Sequence, residues 1–111
     1  MRDDAGRLQD ILDSIQRIQE RIGGARQRFD SDEMLQVWVV HHLQIIGEAT
    51  RSISQALRAA HPEIPWTSVI AMRNLLVHEY FGIDIEEVWS TAVNDLPLLR
   101  PLVEAMLAER N

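Results

Sequence analysis

Near the start of the chain, apolar side chains recur at three- and four-residue steps. They are Leu8, Ile11, Leu12, Ile15, Ile18 and Ile22, with Asp, Gln and Arg between them. That spacing predicts an amphipathic helix with one buried stripe, ended by Gly23-Gly24 in the manner of a C′ glycine. Asp30 with Glu33 offers a capping box for a second helix, expected from about Ser31 to Ala60. Its apolar set is Leu35, Val39, Ile46, Ala49, Ile53 and Leu57. Met34, Val37, Trp38 and Ile45 widen it, so its first half is expected to be covered on more than one side. At about 1.5 Å per residue, such a helix would span roughly 45 Å and form the spine of the molecule.

Pro62 and Pro65 break the pattern, and Pro65 is placed to open a third helix from about Trp66 to Tyr80, stopped by Gly82. Asp84 with Glu87 repeats the capping pattern and starts a fourth helix. Pro97 and Pro101 then predict a kink or a short fifth helix. No stretch alternates with period two between turn signals, so no strand is expected. The fold class is all-α, an antiparallel bundle of four to five helices, and 111 residues fit one domain spanning 1–111.

Composition narrows the chemistry. Apolar residues at 46% supply a core, and the absence of cysteine excludes disulfides, thiolate metal sites and cysteine nucleophiles. Aromatics at 5% argue against a sheet for stacking bases. The net charge of −6 argues against bulk coating of nucleic acid. Charge is uneven: residues 1–33 hold eight acids and six arginines, 34–81 three of each, and 82–111 six acids and two arginines. The middle is neutral. Without an apolar leader or an uncharged apolar run of spanning length, a cytoplasmic protein with no membrane association is expected.

The reactive side chains concentrate in Arg73-Asn74-Leu75-Leu76-Val77-His78-Glu79-Tyr80. On an ideal helix, Arg73 and Tyr80 share a stripe, and Asn74 and His78 share the neighbouring one. An arginine beside a histidine suits phosphoryl chemistry: the guanidinium neutralises a phosphate and the imidazole moves a proton near neutral pH. Asn74 could fix the imidazole tautomer. A surface arginine, a packed histidine and a tyrosine at the bundle edge are the plainer reading, and on residue types alone it carries more weight.

The other histidines point elsewhere. His42 falls near the buried stripe as a core or interface residue, and His61, before a proline turn, is expected to be exposed. His78-Glu79 begins like a zincin motif, but Gly82 stands where the second histidine is required, so no metal site is expected. Arg51 and Arg58, seven apart, read as a solvated face, with anion binding as a lesser possibility.

Five motifs in order resemble HepT-like proteins of the HEPN superfamily. They are Ile46-Gly47-Glu48-Ala49, His61-Pro62-Glu63-Ile64-Pro65-Trp66, Met72-Arg73-Asn74 through His78-Glu79-Tyr80-Phe81-Gly82, Val88-Trp89, and Asp95-Leu96-Pro97. The resemblance runs from about Asp3 to Leu107. It implies the all-α HEPN fold, a homodimer, and the toxin of a type II toxin–antitoxin pair. The implied activity is a metal-independent ribonuclease that needs no cofactor, cleaves RNA through Arg-x-x-x-x-His (here Arg73 and His78, with Asn74 supporting), and leaves a 2′,3′-cyclic phosphate. It further implies an MntA-like nucleotidyltransferase antitoxin that attaches AMP to the motif tyrosine, here Tyr80. Glu48 belongs to the family's IGEA-like motif, and no catalytic role is assigned to it. Arg73 and His78 lie about 140° apart on an ideal helix, awkward for gripping one phosphate, and a cleft shared across a dimer axis would relieve this. The alternative is a non-catalytic helical subunit that docks a nucleotidyltransferase.

Overall fold

The computed structural model describes residues 3–23, 25–74, 77–78 and 82–110, with only the backbone of residues 77–78 and 82–83. The fold is all-α, a helical bundle. Helix α1 (Asp4–Ile22) opens with Asp3, whose carboxylate accepts the Gly6 N–H. It closes at Gly23, whose φ of 51° places it in the left-handed region where a side chain would be strained. Its predicted stripe is the buried face: Leu8, Ile11, Leu12, Ile15, Ile18 and Ile22 all enter the core.

The second helical stretch begins differently from expectation. A short helix, α2 (Arg26–Asp30), comes first, and α3 (Glu33–Arg51) follows it. The N-cap of α3 is Asp32, accepting the Leu35 N–H at 3.0 Å, so the Asp30–Glu33 box is not the one used. The Gln36 side-chain amide turns back to donate to the Phe29 and Asp30 carbonyls, closing the end of α2.

Helix α3 stops at Arg51 instead of reaching Ala60. The chain turns through Ser52 and Ile53, and Ser54 caps a new helix, α4 (Gln55–Ala60), by accepting the Leu57 N–H. Four hydrogen bonds hold this break. Asp4 accepts hydrogen bonds from the Ser54 N–H and hydroxyl at 2.9 and 2.6 Å. Arg58 donates to the Thr50 and Arg51 carbonyls at the end of α3. Arg51 and Arg58 therefore do not share a stripe, and Arg58 serves as a C-terminal cap. The spine is 19 residues long, about 28 Å.

Helix α5 (Trp66–Ala71) is also shorter than predicted. Beyond it, β1 (Val77–His78) and β2 (Gly82–Ile83) form a minimal antiparallel pairing, Val77 opposite Ile83 and His78 opposite Gly82. Helix α6 (Ile85–Ser90) is capped by Asp84, which accepts the Glu87 N–H as predicted. A π-helical turn, Thr91–Asp95, joins it to α7 (Leu96–Glu109), with the Leu96 N–H reaching back five residues to the Thr91 carbonyl. The wider turn lies immediately before Pro97, which lacks an N–H to continue the ordinary ladder. Pro101 sits inside α7 without ending it.

Helix α1 packs against both α3 and α7, and α5 and α6 pack against α3. The core they share includes Ile15, Leu43, Ile46, Val88, Leu96 and Met106. No helix of the described residues is long and apolar enough to cross a membrane.

Candidate active site

Arg73 stands two residues past the end of α5. Val69 and Met72, three residues apart, are buried and anchor that end of the chain. The N–H groups of Met72, Arg73 and Asn74 donate to the carbonyls of Val69, Ile70 and Ala71. This three-residue ladder tightens and ends the helix. The predicted helix to Tyr80 is therefore not continuous. Leu75-Leu76-Val77 gave no stop signal, because a short apolar run suits a helix and a strand alike. The 140° argument for a shared cleft falls with it, since Arg73 lies in a turn and His78 in the β1–β2 pairing.

Helix α3 passes directly beneath this turn at Gly47. A Cβ placed there would lie 2.5 Å from the Arg73 backbone nitrogen, 2.9 Å from its Cβ and 3.0 Å from the Ile70 carbonyl oxygen. Only glycine permits that approach. One residue on, the Glu48 carboxylate holds the Arg73 guanidinium, Oε1 to Nε at 2.7 Å. The arginine side chain is 31% exposed and the glutamate 54%. The Gly47-Glu48 step of the IGEA-like motif thus contacts both the backbone and the side chain of Arg73. Sequence reasoning singled out the motif without seeing this contact. The signal was the motif's place in the HepT-like resemblance.

Of the other predicted site residues, Asn74 is exposed in the same turn. His78 is described in its backbone pairing alone, and Tyr80 lies outside the described residues. An open groove of about 410 Å³ adjoins Glu48, lined by Arg7 and Asp10 of α1 and by His41, Gln44 and Ile45 of α3. A second, apolar groove of about 310 Å³ lies beside Met72, walled by Pro65, Val69, Leu98 and Leu99. Among the described residues, no group of histidines and carboxylates is arranged to hold a metal ion.

His42 and His61 play structural parts. His42 is buried with Nδ1 3.1 Å from the Ser14 hydroxyl and its ring edge-on to Trp38, as a core histidine should be. Burial pushes its pKa down, and the neighbouring His41 and Arg17 add to this. His61 is not freely exposed as expected: it bridges Glu63 at 2.9 Å and Glu109 at 3.2 Å, tying the α4–α5 turn to the end of α7. The hydrogen bond to Glu63 raises its pKa against partial desolvation, helped by the Glu109 charge.

Comparison with known proteins agrees with the family resemblance. The Ribonuclease HepT-like family model matches residues 11–106. A protein of Thermococcus cleftensis named "Probable ribonuclease HepT" is 37% identical over 100 residues, covering 89% of this chain and 91% of the relative. A Caldanaerobacter subterraneus protein named "Putative RNase TTE0752" is 34% identical, covering 90% of each. No solved structure matches the chain. The chain belongs to the HepT-like ribonuclease family.

Proposed function

We propose that this protein is a metal-independent endoribonuclease acting as the toxin of a type II toxin–antitoxin pair. The observation that carries the reading is the family match over residues 11–106, within which Arg73 and His78 stand in the Arg-x-x-x-x-His register. In this reading, His78 takes the proton of a ribose 2′-hydroxyl as its oxygen attacks the adjacent phosphorus. The bond to the 5′-oxygen breaks, and that oxygen leaves protonated as a 5′-hydroxyl. The other product is a 2′,3′-cyclic phosphate. Arg73 stabilises the charge gathering on the phosphoryl oxygens, and Asn74 supports the histidine.

The partners follow from the same reading. The working unit is a homodimer. Met34 and Val37 on α3, 84% and 51% exposed, favour it, because they leave uncovered an apolar face that the sequence pattern expects to be buried. The antitoxin is a nucleotidyltransferase. The Tyr80 phenol oxygen attacks the α-phosphorus of ATP, loses its proton and releases pyrophosphate, leaving AMP joined to the tyrosine. A phosphodiester there sets an anion and a bulky nucleotide near the arginine.

Cleavage of an oligoribonucleotide in chelator tests the activity. Arg73→Ala and His78→Ala should each lower the rate by about a hundredfold or more, with the Tm little changed. Cleavage that survives both substitutions would mean the motif is not the active site. For the modification, incubation with the partner and ATP should add AMP to Tyr80 and silence the enzyme. Inactivation of Tyr80→Phe by that treatment would reject Tyr80 as the acceptor.

A further inference from the structure

Arginine is a long side chain, and here it is set on a turn and not within a regular helix, so its guanidinium has several rotamers to lose before it can meet a phosphate. Two consecutive residues of α3 limit that freedom. Gly47 brings the helix against the Arg73 backbone, and Glu48 takes the guanidinium at Nε. The same helix is part of the core, with Leu43 and Ile46 fully buried, so both contacts are fixed to a packed element. The carboxylate engages Nε, whereas the Nη1–Nη2 pair forms a separate edge with the fork geometry that suits phosphate oxygens.

Stability alone is a weak reason for this pair. Ion pairs this exposed contribute little to folding, and an acid placed on an RNA-binding arginine lowers the local positive charge. We infer that Glu48 is a positioning residue for Arg73: it holds the guanidinium by Nε so that the Nη edge meets the reacting phosphate. This rests on the ribonuclease reading for its kinetic consequence, but not for the contact itself.

The test pairs kinetics with spectroscopy on the full chain. With a mixed-sequence oligoribonucleotide in chelator, Glu48→Ala should lower kcat by about ten- to a hundredfold, as expected for a misplaced catalytic group, with the Tm nearly unchanged. Glu48→Gln keeps the length and an acceptor oxygen and should recover part of the loss. In parallel, the Arg73 Nε–H signal in a nitrogen-15 proton spectrum is assigned by its disappearance in Arg73→Lys. In Glu48→Ala it should shift and exchange faster with solvent. An unchanged kcat, or a gain in rate as expected of a mask on Arg73, would overturn the inference. So would a loss that merely tracks the Tm, or an Nε–H signal indifferent to Glu48. If the wild-type chain cleaves nothing, the ribonuclease reading fails, and the spectrum alone decides whether Glu48 holds Arg73.

Discussion

Helices α1 and α3 and the stretch from Trp66 to Asn74 are built on opposite principles. The two helices each run 19 residues, carry a continuous apolar stripe and begin with an aspartate cap. Local preference and burial agree at nearly every position, which is what a uniquely specified element requires. The later segment is short of both. Helix α5 has six residues and no side-chain cap, and the turn that follows is held by backbone bonds and by α3. Arg73 and Asn74 stand in this second region. In the proposed reading Arg73 has to face solvent and substrate, so it cannot be secured by burial; the packed helix beneath it holds it instead.

Substitutions in each region can break this contrast. The largest stability loss is expected from Leu43→Ala, which empties a fully buried site on α3 and should cost about 2–5 kcal/mol in denaturant unfolding. Its cleavage rate per folded molecule should stay near wild type, and a selective loss of rate would show that frame and site are not separable. Gly47→Ala should cost about 1–3 kcal/mol through overpacking. Because the new methyl meets the Arg73 backbone, it should also lower the cleavage rate beyond what the unfolded fraction explains. Equal Tm and rate to wild type would mean the turn yields freely. Asp32→Ala, removing the α3 cap, should cost about 1 kcal/mol and leave the rate alone.

The smallest effects are in pH, and the two structural histidines should act in opposite directions. The pKa of His42 is lowered, so its contribution is complete above the ordinary imidazole value of about 6.5 and is lost as pH falls below it toward the folded value. The pKa of His61 is raised, so its contribution is complete below about 6.5 and is lost as pH rises through the folded value. Thermal melts across this range should show His61→Gln flattening the decline on the alkaline side only. A change confined to the acid side would reject the Glu63–Glu109 bridge as the cause.

By itself, the sequence determined the all-α class, the buried stripe of α1 and the cap at Asp84. Each depends on residues within one or two turns of one another, where periodicity and capping act directly. It also pointed to His42 as a core residue, since its place on the stripe decides its burial. Tertiary structure decided where the helices stop. The break after Arg51 depends on Asp4, 50 residues from Ser54, and on Arg58 folding back, and neither contact leaves a local signature. The end of α5 comes against Gly47 of another helix, where apolar periodicity runs on. The grip on Arg73 was equally out of reach: Glu48 and Arg73 are neighbours only because α3 and α5 pack, and a missing Cβ lets them pack so closely.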